Sequence, residues 1–310
     1  MADALAPFVH GPGDGSLVER LHALPEGATL LLAPGTYPGP IALPNSIILR
    51  AADGLGSVTI QGGRGPAVSI EGADRVQLEQ LVLRGPESGA GACLQVYMAA
   101  DVEVTGCLLN GGRGRGEGGG AVDVQQGRVR LRRCRLTRNR APQGGAIRAA
   151  GACAVELDDC LLVDNHGEAA GGGALFASRN ATIRAIGCSF VRSRGALGSA
   201  VLAGGGVGGA GSIELVNCLW SADSEGDLVA AHQGGEVRLR HCLLPRAPQG
   251  PGVTLGEGVD ARGVELDPSG DAPFAARFRG LLLGKGDASL SEGQDVYGRS
   301  RGSVWLGAVA

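Results

Sequence analysis

The chain has 310 residues, 44% hydrophobic but only 3% aromatic, with 56 Gly, 15 Pro and a formal net charge of −3. It holds no run of about 18 apolar residues, and 1–15 has neither a basic region nor an apolar stretch, so neither a membrane-spanning helix nor a secretory leader is expected. The expected compartment is the cytoplasm, or the cell exterior if a leader has been removed, and the charge balance lacks the basic footprint of a nucleic-acid binder.

In chain order, the first expected element is a short amphipathic helix. Ser16 stands as N-cap with Glu19 three residues on, followed by apolar Leu21 and Leu24. Its expected role is to close one end of a repetitive core. Leu30 to Leu32 then form an apolar strand that runs into Pro34-Gly35-Thr36-Tyr37.

Repeats follow. Cys107, Cys134, Cys160, Cys188, Cys218 and Cys242 recur every 24 to 30 residues in similar phrases such as VTGCLLN and LDDCLLV. Ala67, Ala92, Ala121, Ala146, Ala174 and Ala200 keep step with them, three of these in the phrase Gly-Gly-Ala. Two registers in phase over six units define a repeat architecture. Within a unit the alternation has period two, as in Ala121 to Val124 and Val129 to Leu131, so the units are made of strands. Leu157 and Cys160 are both apolar yet three apart, as are Leu131/Cys134 and Leu239/Cys242, which demands a corner before each Cys. Three short strands per unit, stacked in register, make a parallel β-helix whose eight or so layers span on the order of 40 Å.

The spacing, with Gly-Gly-Ala and the phrase Cys-x-Leu-x-x-Asn (Cys134 to Asn139, Cys160 to Asn165), resembles the right-handed parallel β-helix, or pectin-lyase-like, superfamily. Leu30 to Tyr37 is similar to the opening of the first coils in many members. Asp295 to Arg301, with Leu306-Gly307-Ala308, is similar to the closing segment of bacterial members, although it departs from that pattern at Tyr297 and lacks the usual acidic residue near Ala310. The resemblance implies an all-β, right-handed solenoid of about eight coils, divided into an N-terminal cap (1–29), the β-helix (30–250) and an irregular last coil with a C-terminal cap (251–310). For function it implies little, because the superfamily includes lyases, hydrolases, epimerases, phage spikes and adhesins.

The six Cys are expected to be buried, reduced and stacked, since they lack the short spacings of a zinc site and their parallel stacking suits no disulfide. Four residues before each Cys lie Glu103, Arg130, Glu156, Arg184, Glu214 and Arg238, an alternation that reads as a solvated salt-bridge stripe between layers. The face expected to bind a ligand is the strand after the Gly-rich turn. Its outward positions are Ser69, Gln95, Asp123, Arg148, Phe176 and Leu202, followed two residues on by Glu71, Tyr97, Gln125, Ala150 and Ser178. Tyr97 and Phe176, beside Gln95 and Gln125, would form a sugar platform, and Asp123 with Arg148 is the candidate acid/base pair.

A second acidic cluster, Asp158, Asp159, Asp164, His166 and Glu168, has the composition of a glycosidase site, but the ordered motifs of galacturonases and of calcium-dependent pectate lyases are absent. His166 fits a turn in Asp164-Asn165-His166-Gly167. Gly111 to Gly120 carries Arg113, Arg115 and Glu117 without the Gly-Lys-Ser/Thr of a phosphate loop, and reads as a flexible turn between strands.

The leading expectation is therefore a non-catalytic binding or scaffold protein offering an elongated face to a glycan or protein. The alternative is a polysaccharide-active lyase, hydrolase or epimerase. No cofactor, metal, nucleic-acid or membrane partner is expected, and the open coil edges permit end-to-end or homo-oligomeric assembly.

Overall fold

The computed structural model describes residues 6–261 apart from 44, 169–170, 196–199, 222–227 and 249. The strands stack parallel into one 16-stranded sheet, one 8-stranded sheet and a two-stranded pair. Together they form a right-handed parallel β-helix of about eight turns, as the repeat requires.

The corner before each Cys is a single left-handed residue. Gln80, Gly106, Arg133, Asp159, Gly187, Asn217 and His241 all have φ between 49° and 62°, and each is followed directly by Leu81 or a ladder Cys. The reversal turns the next side chain inward and produces the three-residue apolar offset seen in the sequence. A non-glycine residue in this region costs about 1–2 kcal/mol, so the hydrogen bonds to adjacent layers must hold it there.

Inside, each layer lays one apolar side chain over the next. Leu78, Val104, Leu131, Leu157, Ala185, Leu215 and Leu239 form one fully buried column. Leu83, Leu109, Leu136, Leu162, Phe190 and Trp220 form another. It ends in a ring stack with centroids 4.6 Å apart. At about 1.5–3 kcal/mol per buried aliphatic side chain, such columns suffice to drive folding with few aromatics.

The ladder Cys are free and buried. The thiol of Cys134 donates to the Val104 carbonyl of the preceding coil at 3.3 Å, and Cys160 donates likewise to Leu131 at 3.5 Å. At the next corner Asn139 and Asn165 are fully buried. Asn139 Nδ2 donates to Asn165 Oδ1 at 3.0 Å, and Asn165 Nδ2 to the Leu136 carbonyl at 2.9 Å. These bonds explain the Cys-x-Leu-x-x-Asn phrase: the amide satisfies backbone groups that a turn would otherwise strand.

Leu17–His22 forms the expected helix, with Ser16 Oγ accepting from the Glu19 amide at 3.3 Å and Leu17 and Leu21 buried against the core. The sequence reading missed the strand Phe8–His10, which pairs with Ala28–Leu32 and adds a layer above it. Three residues between Pro7 and Gly11 are too few for a period-two pattern. At the other end Val253–Leu255 pairs with Glu236–Arg240, and the closing segment Asp295 to Ala308 lies outside the described residues.

The outer charge stripe is in the expected register, but its pairing is only partly the expected one. Arg130–Glu156 (2.9 Å) and Arg184–Glu214 (3.0 Å) pair across layers, whereas Glu103 takes Arg132 at 3.8 Å and Arg238 turns to Glu236 in its own strand.

Candidate functional site

The strand after the Gly-rich turn carries the candidate residues in the expected columns. Gln95, Asp123, Arg148, Phe176 and Leu202 are register neighbours in successive layers, as are Tyr97, Gln125, Ala150 and Ser178.

Their exposure differs from expectation. Arg148 is 1% exposed, Asp123 6%, Phe176 6% and Leu202 2%, so most of this face is covered. The cause is the Gly-rich connections, which fold back over the strand as straps. A Cβ on Gly119 would stand 2.3 Å from Val122 O and 2.9 Å from Arg148 N, and one on Gly172 would stand 2.1 Å from Leu175 O and 2.8 Å from Leu202 N. Only glycine permits this approach. The segment 111–120 is accordingly a hydrogen-bonded strap, not a free turn: Arg113 N donates to Gly91 O at 2.9 Å and Gly118 N to Arg115 O at 2.8 Å. Phe176 therefore leaves the proposed sugar platform, which reduces to Gln95, Tyr97 and Gln125 with the exposed Met98 beside them.

Beneath the strap, Arg148 is the centre of a polar network. Its Nη1 donates to Asp123 Oδ1 at 3.0 Å, Nε to Gln143 Oε1 at 3.3 Å and Nη2 to Glu117 Oε2 at 3.2 Å. Glu117 also receives Arg179 at 2.9 Å from outside. The second Asp123 oxygen, Oδ2, lies 3.4 Å from Gln125 Nε2. A guanidinium withdrawn from water needs this set of partners, and in return it holds the Asp123 carboxylate in one orientation. Glu117, Gln143 and Arg179 were not singled out by the sequence reading. The one available signal was Glu117 as the lone acid in a Gly/Arg tract.

The second acidic cluster is not a cluster in space. Asp158 pairs with Arg132 at 3.5 Å, Asp164 with Arg192 at 2.6 Å and Glu168 with Arg140 at 2.7 Å, each on a different part of the coil. His166 lies in the strand pair Arg140–Ala141 and His166–Gly167. Burial lowers its pKa, and the flanking Arg140 and Arg194 push in the same direction. Among the described residues no three His, Cys, Asp or Glu side chains converge to hold a metal ion, and no helix is long and apolar enough to cross a membrane.

No family model matches this chain, and no curated protein sequence is similar to it. Its likeness is to solved structures. It is similar to a pectin methylesterase in complex with a hexasaccharide (TM-score 0.55, 11% identity, 81% of this chain and 92% of that one). The pectin methylesterase from Aspergillus niger aligns at TM-score 0.51 and 14% identity, over 86% of this chain and 91% of that one. Pectate lyase Pel9A aligns at TM-score 0.50 and 12% identity, over 94% and 83%. The chain thus has the pectin-lyase-like right-handed parallel β-helix fold. The leading expectation of a non-catalytic scaffold is corrected at this point: these structures of like fold are polysaccharide-active enzymes, which favours the alternative reading.

Proposed function

We propose that the protein is a polysaccharide-active enzyme that hydrolyses ester bonds on a pectin-like polymer. The observation that carries this reading is the buried Asp123–Arg148 pair, 3.0 Å apart, beside two amide side chains on a wall whose other opposed charges face solvent.

In this reading Arg148 holds Oδ1 of Asp123, and Oδ2, which the Gln125 amide reaches at 3.4 Å, is the oxygen that acts. Oδ2 attacks the ester carbonyl carbon, and the Gln95 and Gln125 amides donate to the oxyanion that forms. Collapse breaks the ester C–O bond, and the departing alcohol takes a proton from water. The hydroxide so formed adds to the acyl-enzyme carbonyl, and cleavage of the bond to Oδ2 releases the polymer's carboxylic acid and restores the Asp123 carboxylate. Tyr97, 40% exposed, offers a ring face to a neighbouring sugar. The pectin methylesterases of like fold support the choice of an ester over a glycosidic bond.

The test is release of methanol and acid from methyl-esterified pectin. Wild type releases both, and Asp123→Asn lowers the rate by about 100-fold or more with an unchanged circular dichroism spectrum. Absence of methanol release, or a fully active Asp123→Asn, refutes the reading. Shortened chains with intact esters would point instead to glycosidic cleavage between Asp123 and Glu117, which share Arg148.

A further inference from the structure

The third wall of the coil carries a feature that ester hydrolysis does not use. Arg113, Arg140, His166 and Arg194 are bridged in parallel register through four successive layers, so one basic or imidazole side chain recurs at about every 4.8 Å along the helix axis. Arg113, Arg138 and Arg140, with Arg115 and Glu168, line a groove of about 830 Å³. Arg113, Arg115, Arg138, Arg140 and Arg194 are all exposed.

The pairing of these cations is uneven. Glu168 neutralises Arg140 at 2.7 Å, but among the described residues no ion pair engages Arg113, Arg115, Arg138 or Arg194. On the stripe before the Cys corners, by contrast, Arg130, Arg184 and Arg240 meet acids across layers. The row therefore carries unneutralised positive charge in a chain whose net charge is −3. A ligand that answers this row is a linear polyanion bearing one negative group per repeating unit, with a repeat of the order of one coil. An extended uronate chain has that form, with a planar carboxylate on each sugar that suits the guanidinium fork. Nucleic acid fits less well, because single strands are held by stacking on aromatic rings and the groove has no aromatic residue in its lining.

We propose that this arginine row is a binding site for acidic polysaccharide, separate from Asp123, which lies on another sheet. It holds the de-esterified, negatively charged stretches of a uronate polymer. The assignment does not depend on the ester-hydrolysis reading, because occupancy is measured without turnover.

The experiment is titration calorimetry of the full chain with oligogalacturonate lacking esters, at low and at high salt, with dextran and a single-stranded oligonucleotide as comparisons. Expected are saturable binding to oligogalacturonate that weakens by about tenfold or more with salt, none to dextran, and weaker binding to the oligonucleotide. Arg113→Gln/Arg138→Gln/Arg194→Gln should lose about tenfold in affinity with an unchanged melting temperature. Absent binding, salt-independent binding, equal binding to dextran, tighter binding to the oligonucleotide, or full affinity in a folded triple variant would each overturn the assignment. The salt series uses the unaltered protein and decides the question even if the triple variant misfolds. Binding without methanol release would keep this site and refute the esterase; methanol release without binding would do the reverse.

Discussion

Arg148 and Asp123 show how little a residue's type reveals about its surroundings. Both fall on outward positions of an alternating strand, and on an uncovered face Asp123→Ala would be nearly neutral for stability. Under the strap the same change leaves Arg148, 1% exposed, with only Glu117 and Gln143. Loss of one partner from a buried pair costs about 3 kcal/mol, so Asp123→Ala should lower the urea midpoint clearly. A midpoint within error of wild type would show that water reaches Arg148. Other chemistry at this scale is silent by construction. Burial pushes the thiol of Cys93 up to about 12 and that of Cys153 up to about 11, so neither forms a thiolate at neutral pH.

At the scale of the element, the repeating unit is a strand, a left-handed corner and a buried polar or sulfur side chain that ties the corner to the coil before it. Cys160 tests this directly, because its thiol is enclosed between the layers of Cys134 and Cys188 and donates to Leu131 O at 3.5 Å. Cys160→Asp puts an unpaired carboxylate there, and the expected result is loss of the cooperative thermal transition. A variant melting like wild type would mean that the Cys register does not face inward. The straps belong to the same scale. A ten-residue connection between strands is ordinary in length, but one rich in glycine can lie flat on the strand it joins, and here that converts an open face into a covered one.

For the whole molecule, stability depends on closing the ends. The helix Leu17–His22 packs on the strand Ile41–Leu43 and buries Leu17 and Leu21, covering apolar surface that a solenoid otherwise presents to water or to another copy. Leu21→Asp should loosen the cap and produce concentration-dependent association in sedimentation. A strictly monomeric variant with unchanged melting would show that the Phe8–His10 strand alone protects the end. The two proposed sites also belong to this scale, since the strap 111–120 contributes Glu117 to the Arg148 network and Arg113 and Arg115 to the groove.

The sequence by itself determined the repeat, the inward columns, the corner before each Cys, the helical cap and the register that aligns Gln95, Asp123 and Arg148. All of these follow from short-range periodicity: one layer is one unit, so a pattern read along the chain is also a pattern in space. Only the tertiary structure decided what covers what. That Phe176 is buried, that Glu117 and Arg179 close over Arg148, that the acids near His166 disperse to separate arginines, and that Arg113, Arg140 and Arg194 align into one row all depend on where the connections fold. Those paths are set by close backbone approach at glycines and by ion pairs between layers, and neither leaves a period in the sequence.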